Sequence, residues 1–184
     1  MPATAVAQPA VEPALFRRVL GHVPTGVSVV ATMTQAGPAG MTVGSFTSMS
    51  LDPPLAGFFA TTTSQSLSQI LQAGQFAASV LADSQSAVSR AFATSRSRFD
   101  DVPWHMSANG MPHLAGALAW VDCTVRSAVE MGDHTTVVAA VDSLEVVQQG
   151  GGRPLVFFRG AYCHLDRRSL PRRGDWQLDH YAEW

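Results

Sequence analysis

The 184-residue chain contains no lysine: all twelve of its basic residues are arginines. That excludes Schiff-base chemistry on lysine and a Walker-type phosphate loop. A bound phosphate has to be met by arginine, hydroxyls or backbone N–H groups. Charge of either sign is scarce, at 14% of residues against about a quarter in an ordinary globular protein. So much neutral surface needs cover, and a subunit interface is the simplest place for it. The formal net charge of -2 supplies no basic field, so nucleic acid is not an expected partner. No run reaches the roughly 18 apolar residues of a membrane span. Residues 1–12 have neither the basic n-region nor the apolar h-region of a secretory signal. Only two cysteines are present, Cys123 and Cys163, in separate apolar runs without a CxxC spacing. They read as small buried hydrophobes in a reducing, cytoplasmic compartment.

Chemistry-bearing clusters are missing too. The six histidines form neither HExxH nor a tight group with cysteine or carboxylate, so no metal site is expected. There is no GxSxG elbow for a nucleophile. His22 reads as a helix-end residue, and His105, His113 and His180 as solvent-facing loop residues.

What is present reads mainly as β-structure. Residues 13–23 carry Leu15, Val19, Leu20 and Val23 at helical spacing. A β-branched strand follows at 27–33, a turn at 35–38, and a second strand over 40–50 leaving as a hairpin. Asp52-Pro53-Pro54 breaks the chain before a strand at 55–60. A helix over 63–73 has Ser64 as its N-cap and Leu67, Ile70 and Leu71 inward. A strand at 75–81, a helix at 84–93 and a polar surface excursion at 94–116 come next. Two long strands, 117–129 and 135–147, are joined at Gly132-Asp133-His134, and two short strands end the series at 155–158 and 161–165. Hairpins dominate, and no crossover helix regularly separates the strands. The expected fold is an antiparallel barrel flanked by helices, with a disordered arm at 1–12, one domain over 13–165 and a tail at 166–184.

Between Thr42 and Ser50 lie five hydroxyls and a glycine, interleaved with apolar side chains. On one extended strand Thr42, Gly44, Phe46, Ser48 and Ser50 would share a face, and Gly44 would admit a flat ring against the backbone. Composition alone favours a plainer reading, an edge strand with solvated hydroxyls. Gly132-Asp133-His134-Thr135 likewise suffices as a turn, and 155–162 as a core strand and a turn.

Taken in order, these segments resemble the flavin reductase family of the FMN-binding split barrel, the reductase partners of two-component flavin monooxygenases. The resemblance covers about 16–165. It is carried by Phe16-Arg17, Pro24-Thr25-Gly26-Val27-Ser28-Val29-Val30, and the run from Gly40-Met41-Thr42 to Ser50-Leu51-Asp52-Pro53-Pro54. Gln75-Phe76-Ala77, Val80-Leu81, Phe92-Ala93, Arg98-Phe99 with Trp104, Gly132-Asp133-His134, and Pro154-Leu155 to Gly160 and Tyr162 complete it.

The resemblance implies a homodimeric split β-barrel that passes hydride from NADH or NADPH to FMN or FAD. It implies that a diffusing reduced flavin then serves a partner monooxygenase. Thr42, Val43, Gly44, Ser45, Phe46, Ser48 and Met49 would line the flavin ring and ribityl chain, and Thr63, Ser64 and Gln65 would receive its phosphate. A phosphate at a helix N-terminus also has independent physical support. Relatives with lysine or arginine there differ from this Thr-Ser-Gln, which suits an exchangeable flavin. His134 and Tyr162, with His164 as a neighbour, would lie on the nicotinamide side. Two other readings share the barrel: an oxidase of the pyridoxamine-phosphate type, which wants several basic residues, and a flavin-binding module without turnover.

Overall fold

The computed structural model describes residues 11–94, 99–147, 152–166 and 168. Nearly all of the expected N-terminal arm and C-terminal tail, with His180, lies outside the described residues, as does Arg98. The first helix, α1 (Pro13–Leu20), is capped by Glu12, whose carboxylate accepts from the N–H groups of Ala14 and Leu15. It ends three residues before the expected Val23.

Strands β1 (Thr25–Gly26), β2 (Ser28–Thr34), β3 (Gly37–Val43), β4 (Thr47–Leu51) and β5 (Pro54–Thr61) precede α2 (Gln65–Ala73) and β6 (Gln75–Val80). A 3-10 turn, Asp83–Gln85, leads into α3 (Ser86–Thr94). A small hairpin, β7 (Trp104–Met106) with β8 (Pro112–Leu114), then precedes β9 (Ala119–Met131), β10 (His134–Val146), β11 (Val156–Phe158) and β12 (Ala161–Cys163).

Seven strands form one antiparallel sheet in the order β3-β2-β6-β9-β10-β5-β4. Its two edge strands, β3 and β4, are consecutive in the chain and joined only by Gly44-Ser45-Phe46. A three-residue link between opposite edges forces the sheet to curl until those edges nearly meet. The sheet does not close, because no ladder joins β3 to β4 or β5. The result is a mainly β, split barrel with helices outside it.

Alternation along β2 explains why its apolar run is continuous. Val30 faces the barrel interior with Met41, Val43, Phe58, Phe76 and Ile70. Val29 and Ala31 face the other way, onto Leu81, Phe92, Leu114 and Leu155. Phe58 and Phe76 meet edge to face at 5.3 Å in the interior. Burying each such ring contributes about 1.5–3 kcal/mol.

Three expectations fail on the geometry. The single strand over 40–50 is two strands on different ladders, β3 on β2 and β4 on β5. The shared face from Thr42 to Ser50 therefore does not exist. Met49 adds a bulge between Ser48 and Ser50, and its Sδ occupies the space a Cβ on Gly57 would need. The described part of the excursion, residues 99–116, is not superficial, since Val102, Met111 and Leu114 are buried. His113 is buried rather than solvent-facing: its Nε2 lies 2.6 Å from Asp122 Oδ1, and its ring stacks on Trp120 at 4.7 Å. Asn109 Nδ2 and the Ser143 hydroxyl donate to Asp122 Oδ2, so the buried carboxylate is fully engaged.

Candidate active site in the split of the barrel

The split holds a cleft of about 1140 Å3. One wall is β3 with Gly44, and the other is the end of β5 with the start of α2. Phe92 and Ala93 of α3, Phe99, Asp100 and His134 complete it. Thr42, Val43, Gly44, Thr63, Ser64, Gln65 and His134 are thus brought together. Ser45, Phe46, Ser48, Met49, Tyr162 and His164 are not among the lining residues.

The hydroxyls of this region are largely spent on building the wall. Thr42 Oγ1 donates to the Ser89 carbonyl at 2.7 Å, and Ser66 Oγ to the Gly40 carbonyl at 2.9 Å. Ser45 Oγ both donates to the Phe59 carbonyl and accepts from the Phe59 N–H, each at 3.0 Å. That clasp holds the β3–β4 link against β5 where no ladder does. A Cβ at Gly44 would lie 2.9 Å from Thr25 Oγ1, so a larger residue there would have to displace the Thr25 side chain.

Ser64 is the N-cap of α2, accepting the Leu67 N–H at 3.2 Å. The start of α2 opens into the cleft, so its orphan amides and dipole offer a seat for an anion. Among the described lining residues no arginine is present, His134 is the single basic type, and Asp100 is acidic. The cleft thus combines long, partly apolar walls with an anion seat that has no fixed cation among the described lining residues.

His134 sits beside the β9–β10 turn, where Gly132 adopts φ 65°. Its Nδ1 lies 2.6 Å from Asp133 Oδ1. The hydrogen bond from His134, and then its charge, hold the exposed Asp133 carboxyl below the ordinary aspartate value. The Thr62 N–H donates to the Asp133 carbonyl at 3.1 Å, which ties this turn to the β5–α2 loop.

Tyr162 and His164 lie elsewhere. The Tyr162 hydroxyl is 2.7 Å from Ser89 Oγ, and the Arg90 guanidinium lies 5.1 Å from its ring centre. His164 Nδ1 is 3.7 Å from Asp83 Oδ2. Ser89, which meets both Thr42 and Tyr162, carries only one signal in the sequence, its i, i+3 spacing to the inward Phe92. Gln69 was also missed, although it lies four residues after Gln65 on the same helix face.

Comparison with known proteins agrees with this architecture. The family model "Flavin reductase like domain" matches residues 20–166. A flavin reductase of Pseudomonas putida is 41% identical over 162 residues, covering 87% of this chain and 94% of its own. The flavin-dependent monooxygenase reductase subunit HsaB of Mycobacterium tuberculosis is 39% identical over 157 residues, covering 85% and 84%. Nitrilotriacetate monooxygenase component B from Mycobacterium thermoresistibile superposes with a TM-score of 0.82 at 36% identity, covering 86% of this chain and 89% of that one. The chain belongs to the flavin reductase like domain family.

Proposed function

We propose that this chain passes hydride from NADH or NADPH to FMN or FAD in the cleft between β3 and α2, and that the reduced flavin serves a partner monooxygenase. One observation carries the reading: Thr42, Val43 and Gly44, the helix start at Thr63, Ser64 and Gln65, and His134 converge on one cleft from remote parts of the chain. Bound flavin supplies the electron-accepting ring. The chain's own residues have the tasks of seating and alignment. Thr63, Ser64 and Gln65 meet the phosphate, the Thr42–Gly44 wall shapes the ring seat while Ser45 holds the adjoining link against β5, and His134 faces the nicotinamide side. Phe92 and Phe99, edge to face at 4.8 Å, supply apolar wall to the cleft. Orientation of two stacked rings needs no metal or nucleophile.

The active form is a homodimer in this reading. No residue of α1 is buried in the single chain, and Phe16, Val19 and Leu20 are each more than half exposed. Met49 and Leu51 on edge strand β4 are also exposed, so apolar surface is left for a second copy to cover. No helix among the described residues is long and apolar enough to cross a membrane. Free thiols at Cys123 and Cys163 suit a reducing cytoplasm.

The test is oxidation of NADH and NADPH by the purified chain with and without added FMN or FAD. Flavin-dependent loss of reduced nicotinamide supports the reading. Flavin binding without that loss leaves a non-catalytic module. The oxidase reading would need cations for a substrate phosphate, which the described lining lacks apart from His134.

A further inference from the structure

A second hollow, of about 330 Å3, lies apart from the cleft, and no residue lines both. Register on the β9–β10 ladder builds its floor. Trp120 is the cross-strand partner of Glu145, and Asp122 of Ser143, so all four side chains stand on one face of the sheet. The β7–β8 hairpin folds over that face. His105 and His113 are partners within it. The His113 ring stacks on Trp120, and His105 stands edge-on to both. Met106 and Leu144, both exposed, also line the hollow.

One nitrogen at this hollow is unused. His113 is only 7% exposed, and its Nε2 is held by Asp122 Oδ1 at 2.6 Å. Asp122 Oδ2 is taken by Asn109 and Ser143. The engaged carboxylate keeps the proton on Nε2 and leaves a lone pair on Nδ1. That Nδ1 has no hydrogen-bond partner among the described residues. Nor is it sealed from solvent, as the buried Thr32 hydroxyl is; it reaches the hollow that His113 lines. Holding the hairpin on β9 uses Nε2 alone and leaves this acceptor unexplained. Asn109 Oδ1 and the exposed Glu145 carboxylate add further acceptors, and no arginine stands among the described lining residues.

We propose that the hollow binds a small organic ammonium ion with an apolar body. One N–H donates to His113 Nδ1 and a second to the Glu145 carboxylate, while the body lies against His105, Met106 and Leu144. The chemistry selects that class. Acceptors without free donors want a ligand that donates, and two carboxylates without an arginine want a cation. A metal ion does not fit, since no group of three His, Cys, Asp or Glu side chains among the described residues could hold one. The volume stands at the small end of ligand pockets, which suits an arylalkylamine and not a nucleotide or a flavin. This site does not rest on the proposed function.

The experiment titrates the purified chain with benzylamine, followed by calorimetry and by NMR of the His113 ring nitrogens. Benzyl alcohol and benzoate serve as neutral and anionic counterparts of similar shape. Benzylamine should bind more tightly than benzyl alcohol by about tenfold, the difference between a charged and a neutral hydrogen bond. It should also move the His113 Nδ1 resonance, and benzoate should not bind. Glu145→Gln, at an exposed position, should abolish the preference for the cation while the denaturation midpoint of the free chain stays near wild type. Saturating FMN should not displace benzylamine, because the cleft shares no residue with the hollow. Equal binding of benzylamine and benzyl alcohol, or no binding of either, overturns the proposal. So does a preference for benzoate, which would make Nδ1 a donor. Displacement by FMN, or His113 resonances unmoved at saturation, overturns it by placing the amine elsewhere.

Discussion

Asp133, in the two-residue connection between β9 and β10, places Oδ1 2.6 Å from Nδ1 of His134, the first residue of β10. A carboxylate accepts at that distance, so it keeps the proton on Nδ1 and leaves Nε2 for the proposed nicotinamide contact. Asp133→Ala should therefore raise the KM for NADH several-fold while kcat changes less and flavin affinity stays near wild type. His134→Ala should raise that KM further. Steady-state kinetics at varied NADH with saturating flavin is the check, and an unaltered KM in both variants would remove the pair from the site.

The same pair has a pH signature. Because the folded carboxyl is held below the ordinary aspartate value, the contact's contribution is fully present above that ordinary value. It fades as pH falls through the lower, folded one. A carboxyl-detected NMR titration should give Asp133 a midpoint below that of a free aspartate, and His134→Ala should return it upward. A midpoint unmoved by His134→Ala would show that the contact does not persist in solution.

Tyr162 tests the boundary between site and scaffold. Its hydroxyl meets the fully buried Ser89 Oγ, and Ser89 also receives the hydrogen bond from Thr42. Tyr162→Phe leaves a buried hydroxyl with one partner fewer, a loss of about 1–3 kcal/mol. The expected result is a lower denaturation midpoint, with the KM for NADH moving less than in His134→Ala. The reverse pattern, unchanged stability with a raised KM, would return Tyr162 to the nicotinamide side.

Much of the fold was legible because it is local. Gly132 and Gly160, both at positive φ, mark tight turns that their residue types announce, and Ser64 caps its helix as its position before Leu67 suggests. What escaped depends on partners far along the chain. The run from Gly40 to Ser50 alternates like a single strand, and only the separate ladders of β2 and β5 reveal its break. Thr42 is 47 residues from Ser89, and Ser45 is 14 from Phe59. Nothing in a row of hydroxyls says whether they face a ligand or a backbone carbonyl. His113 looked like a loop residue because the Asp122 carboxylate that permits its burial arrives on the next strand.

The two cysteines should separate cleanly by reactivity. Burial, with Asp142 and Asp122 adding repulsion, pushes the Cys123 thiol up to about 12. Cys163 is partly exposed on the short strand β12, contrary to the expectation that both are buried. At pH 8 a thiol reagent should label Cys163 quickly in the native chain, and Cys123 only after unfolding. The sign for stability follows. The unfolded thiol ionises near 9.0 and the folded one near 12, so stability is lost as pH rises above the lower value. Cys123→Ala should flatten that alkaline decline, at the cost of a small cavity.

Ser64 joins two roles that one pair of variants can separate. As N-cap it satisfies the Leu67 N–H, and as a cleft residue it stands where a phosphate is proposed to bind. Ser64→Ala should cost about 1 kcal/mol of stability through the lost cap and weaken flavin binding by a similar amount. Ser64→Asp keeps the cap and suits the helix dipole, so its denaturation midpoint should match or exceed that of the wild type. Its carboxylate would nonetheless repel a phosphate, and affinity for FMN should drop by at least about tenfold. Riboflavin, which lacks the phosphate, should bind Ser64→Asp and wild type alike. If the aspartate weakens riboflavin and FMN equally, the anion seat is not at the start of α2.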